Sequence, residues 1–133
     1  MSYEARSSSE RIRLFNEYGP AAAAYFGTIK GAPVSIMGDL RSAAVIAVGM
    51  RTFKESPDKA GEFWSQVAFD DGLKIGDPRK TLIGWLQANP ARGTNAAARS
   101  RVVAHAWNIF LAGGSASRFK MPDWTKPIQI NVA

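Results

Sequence analysis

"GDPRKTLIGWLQANP", residues 76–90, holds the start, the face and the stop of one α-helix. Asp77 is a natural N-cap, and Pro78 suits the first helical position, where a backbone N–H has no intrahelical partner anyway. Leu82, Ile83, Trp85 and Leu86 recur at helical spacing and form one apolar face. Asn89 and Pro90 stop the helix, because the residue before proline avoids helical dihedrals. The same stretch poses an electrostatic question. Arg79 and Lys80 occupy the first turn, where the positive end of the helix dipole disfavours each cation by roughly 0.3–1 kcal/mol.

Working outward, the flanking segments carry the same period. Downstream, Thr94 reads as the cap of a helix over residues 95–112. Its core stripe is Val103, Ala106, Trp107 and Phe110, and Gly113 ends it. Upstream, Ser56 and Pro57 open a helix with Phe63 and Val67, and Trp64 beside them, as core candidates; Gly72 closes it. Residues 34–54 read as a single helix through Ile36, Leu40, Ala43, Ala44, Ala47 and Met50. It is apolar on most sides after Ser42, which predicts a central position. Near the N-terminus, Ser7 and Glu10 have capping-box spacing ahead of a helix over residues 8–18, in which Ile12 and Phe15 share a face. Gly19 ends that helix and Pro20 opens a second one bearing Tyr25, Phe26 and Ile29. The tail holds two prolines at 122 and 127 and no helical period. The expected fold is all-α: a compact bundle of five or six helices over residues 1–114. An irregular tail, residues 115–133, would pack on it through Trp124, with one short strand at 128–132.

Composition narrows the chemistry. The 133 residues are 46% hydrophobic, enough for one domain with a core. There is no cysteine and a single histidine, His105, which excludes thiolate chemistry and a His-rich metal site. No phosphate-cradling glycine motif and no nucleophile elbow occurs. The one adjacent carboxylate pair, Asp70 and Asp71, stands at a helix end, where turn hydrogen bonds are its ordinary use. A non-enzymatic protein without cofactor or metal is expected. The most apolar run, residues 42–50, lies between Arg41 and Arg51 and is far below the ~20 residues of a membrane span. The polar N-terminus has no apolar signal core. No membrane partner and a cytoplasmic location follow as expectations.

Charge gives the strongest functional lead. The net charge is +6, yet residues 1–72 carry 8 Lys/Arg against 9 Asp/Glu. Between Pro78 and Pro122 lie seven cations and no acid: Arg79, Lys80, Arg92, Arg99, Arg101, Arg118 and Lys120. This bias predicts a polyanionic partner, DNA before RNA, held by those seven residues in a small regulatory protein. Arg101, His105 and Asn108 share one helix face, either a contact surface or an ordinary solvated one. Phe119 and Trp124 lie among Arg118, Lys120 and Lys126, a pattern that suits single-stranded nucleic acid, a protein groove or a tail folded back on its own domain. The alternative function is a protein-interaction module, an inhibitor or adaptor, working through that tail or an exposed helix face. Convergence of Arg79, Arg92 and Arg101 on one open face favours nucleic acid. Their dispersion, or pairing with Asp70, Asp71 and Asp77, favours the module.

Three segments together resemble a known arrangement: "AGEFWSQVAFDDGLKIGDPRKTLIGWL" (60–86), "RVVAHAWNIFLAGG" (101–114) and "FKMPDWTKPIQI" (119–130). Their order is similar to the helical region that follows the ParB-like domain in a group of prokaryotic and phage proteins. The likeness covers roughly residues 42–130 and is most specific at Gly76, Asp77 and Pro78 and at Ala106, Trp107 and Asn108. The ParB-like domain itself has no counterpart. The resemblance implies a helical, DNA-associated module of phage or mobile-element type and carries over no catalytic residue.

Overall fold

The computed structural model describes residues 8–113, and among them there are six α-helices and no strand. These are α1 (Ser8–Ile29), α2 (Val34–Leu40), α3 (Ala43–Glu55), α4 (Pro57–Phe69), α5 (Pro78–Ala88) and α6 (Ala96–Leu111). The tail at 115–133, with Phe119 and Trp124 and the cations Arg118 and Lys120, lies outside the described residues.

The bundle forms around α3, which packs against α1, α4 and α6; α5 closes the other side against α2, α4 and α6. The centre is aromatic. Phe63 meets Trp64 and Trp107 edge-on at 5.0 and 5.4 Å between ring centroids, and Tyr25 meets Trp64 edge-on at 5.0 Å. Such edge-to-face pairs stabilise beyond their area burial. Trp64, Trp85 and Trp107 are all buried, as core tryptophans rather than stacking platforms. Trp64 Nε1–H donates to Thr52 Oγ1 (2.8 Å), and Thr52 donates to the Gly49 carbonyl (2.6 Å), so a polar pair crosses the core fully bonded.

Three boundaries differ from the sequence expectation. First, α1 runs unbroken through Gly19 and Pro20. The clash that drives helices to end before proline involves the preceding Cβ, which Gly19 lacks. The Glu17–Lys54 ion pair (2.8 Å) and Lys54 over the Tyr18 ring (4.4 Å) tie the segment before Pro20 to the end of α3. Second, the helix expected over 34–54 is two helices, broken at Arg41 and Ser42. The carbonyls released there are taken by one local and two distant side-chain donors. Tyr25 O–H donates to Leu40 O (2.5 Å), while Ser42 Oγ (2.8 Å) and Arg99 Nη2 (3.4 Å) donate to Asp39 O. The break also rotates the face of α3. Val45, Val48, Gly49, Thr52 and Phe53 are buried, while Ala43 and Ala47 are exposed. Third, a 3-10 turn (Gly93–Asn95) precedes α6, so Asn95 rather than Thr94 holds the N-cap position.

Candidate functional site

Asp77 caps α5 as expected: its Oδ1 accepts from the Arg79 N–H at 2.9 Å. The same carboxylate also binds the Arg79 guanidinium, through Nε (3.0 Å) and Nη2 (2.8 Å), in a fork-to-carboxylate pairing. The Arg79 hydrogen bond holds the Asp77 carboxyl below its usual range, against the opposite push of partial burial. Arg79 also lies over the Phe110 ring at 4.9 Å. Lys80 reaches back to Asp70 at the end of α4, 2.7 Å away. Each cation of that first turn therefore has its own carboxylate, which offsets the dipole conflict.

Arg99 departs furthest from a phosphate-binding role. Its side chain is 1% exposed and salt-bridged to Asp39 at 3.0 Å. Its Nη1 donates to the Asn89 carbonyl, so the guanidinium ties the ends of α2 and α5 to α6. A charge this deep is held by its partner and is closed to a macromolecular phosphate. Of the five described candidates, Arg92 is exposed and Arg101 is half-buried on the outer side of α6 beside His105 and Asn108. Neither forms an ion pair among the described residues.

The structure places a different feature on the surface. Between Ser9 and Pro20 no described residue of α1 is buried, and Ile12 and Phe15 stand 61% and 74% exposed. The spacing continues through Gly19 and Ala22 to Phe26, also exposed, giving i, i+3, i+7, i+10 and i+14 along one side of the helix. Phe26 then joins Ile29 and Met37 in a cleft of about 180 Å³ between α1 and α2. Lys30 and Arg41 line the same cleft, and neither has an ion-pair partner among the described residues. Sequence reasoning found Ile12, Phe15 and Phe26 as apolar positions. It had no signal that they stay uncovered, nor that Lys30 and Arg41, from the net-acidic half, meet beside Phe26.

Among the described residues no cluster of three or more His, Asp and Glu side chains could hold a metal ion, and no helix is long and apolar enough to cross a membrane. No protein-family model, no curated protein and no solved structure matches the chain.

Proposed function

We propose that this domain is a non-enzymatic protein-interaction module that docks through the outer side of α1. The observation that carries this reading is the exposed Ile12–Phe15–Phe26 stripe, which no described residue buries and which runs into a cleft bearing Lys30 and Arg41. Helix-in-groove recognition uses such anchors at i, i+3 and i+7 spacing. The two cations at one end of the apolar stripe select a partner surface that is apolar along its length and acidic at the matching end. Pairing of Arg79, Lys80 and Arg99 with Asp77, Asp70 and Asp39 supports this reading over nucleic-acid binding, since it engages three of the seven expected phosphate contacts within the chain. An adaptor on a DNA-associated assembly in the cytoplasm is consistent with the resemblance to the region following ParB-like domains.

The test is the double substitution Ile12→Glu/Phe15→Glu. Both side chains are exposed, so unfolding stability is expected to change by no more than about 0.5 kcal/mol. Cross-linking in the source cells, followed by mass spectrometry, is expected to give an acidic protein partner that the double variant loses. Anisotropy titrations with duplex DNA are the counter-test. Tight binding that weakens with salt at a slope near −0.9 per neutralised phosphate, and that the double variant retains, refutes the module in favour of nucleic acid.

A further inference from the structure

A second cleft, of about 290 Å³, lies where α3 and α6 begin. These helices run in the same direction. Ser100 Oγ contacts the Ala44 carbonyl (3.5 Å) near their starts, and Trp107 Nε1–H donates to Glu55 Oε2 (3.0 Å) further along. Their N-terminal ends therefore stand side by side, and two positive dipole ends face one space. Neither end has a side-chain cap: Ser42 turns its hydroxyl to Asp39 O, and Asn95 receives the Arg92 N–H and donates to Pro90 O. The cleft is lined by Ser42, four alanines (43, 44, 91 and 96), Arg92 and Arg99, with no carboxylate. A separate observation comes from Arg99. It is 1% exposed, lines this cleft, and its Nε–H has no hydrogen-bond acceptor among the described residues although its other nitrogens are bonded. A buried donor left unpaired is costly, and such groups mark places where an acceptor is missing.

We propose that this cleft binds a small phosphate monoester. The phosphate oxygens would accept from the first-turn N–H groups of α3 and α6, from Arg92 and from Arg99 Nε, as anions do at helix starts. The alanine lining takes a small apolar organic group, and the volume, at the low end for ligand sites, holds little more. Nothing in this proposal depends on the α1 stripe.

The test is a 15N–1H NMR titration of the full chain with inorganic phosphate and then methyl phosphate, at constant ionic strength set with chloride. Saturable shifts are expected at the amides of residues 43–45 and 96–98 and at the Arg99 Nε–H, with methyl phosphate binding at least as tightly. Arg92→Ala is expected to weaken binding about tenfold. Ala43→Glu places a carboxylate at an exposed first-turn position that suits an acid, so it keeps the fold and abolishes the shifts. Absence of saturation at millimolar phosphate, or equal shifts in Ala43→Glu, overturns the proposal. Shifts produced by a duplex oligonucleotide but not by the two phosphates overturn it in favour of backbone recognition.

Discussion

Gly49→Ala tests the tightest approach in the fold. Glycine inside a helix is ordinarily a weakness, and its exchange for alanine stabilises by up to about 1 kcal/mol. At Gly49 the sign should reverse. A Cβ built there falls less than 3.0 Å from Tyr25 Cδ1 and Cε1 and 3.2 Å from Cγ, closer than real Cβ atoms come to a ring. The ring cannot yield cheaply. Tyr25 is fully buried, its hydroxyl is bound to Leu40 O, and Trp64 packs edge-on against it. Overpacking of this kind costs about 1–3 kcal/mol. At roughly 4 °C per kcal/mol for a domain of this size, Tm should fall by about 4–12 °C in a calorimetric scan. Gly61→Ala in α4 is the control, since nothing lies within 4 Å of its Cβ position; it should raise Tm. In a Tyr25→Leu background the Gly49→Ala cost should shrink by about 1 kcal/mol, because the two residues share one contact. A Gly49→Ala protein as stable as Gly61→Ala would refute the claim that α1 and α3 are locked at this crossing.

Three further outcomes follow from the polar contacts. Tyr25→Phe leaves the Leu40 carbonyl at the α2–α3 break without its donor and should cost about 1–3 kcal/mol in urea denaturation; burial pushes the Tyr25 hydroxyl up, so it remains a donor throughout the working pH range. Asp39→Ala strands the buried Arg99 charge and should cost about 3–5 kcal/mol, little changed by salt because the pair is shielded from ions. Asp77 has a folded pKa below its ordinary 3.8, so its stabilising effect is complete above that value and is lost as pH falls through the folded pKa. Asp77→Asn keeps the cap but not the charge. The difference between wild-type and Asp77→Asn urea midpoints should therefore be constant near neutrality and narrow below about pH 4; an unchanged difference at pH 3 rules out the coupling.

The elements that were legible in the sequence are those whose ends are written locally. Pro57 and Pro78 sit at first helical positions, Asp77 caps its helix, and the 3.6 period of Leu82, Ile83, Trp85 and Leu86 picks out the buried side of α5. What was illegible depends on partners far along the chain. Between Val34 and Lys54 the apolar period runs on through Ser42, whose hydroxyl is the one local donor at the break; the others, Tyr25 and Arg99, are 15 and 60 residues away from the carbonyls they reach. Periodicity assigns Ile12 and Phe15 to an apolar face but cannot say whether a neighbour covers it. In α1 the neighbours cover only the half from Ala21 onward.

The charge asymmetry shows the same limit and explains it physically. A run of cations in sequence becomes a surface patch only if the helices that carry it turn those residues to one side and no acid from elsewhere reaches them. Here Asp70 at the end of α4 meets Lys80, and Asp39 of α2 meets Arg99. Both acids come from the half of the chain with the acidic excess, so opposite charges from the two halves meet as the bundle closes. A compositional split between halves then records pairing across the fold as much as attraction to an outside polyanion. The cations that remain without an ionic partner among the described residues include Lys30 and Arg41, which share the cleft beside Phe26, and Arg92, in the cleft where α3 and α6 begin. Two of these three come from outside the basic stretch. The positions available to an acidic partner are thus set by which carboxylates the fold leaves out of reach, and a count along the chain cannot locate them.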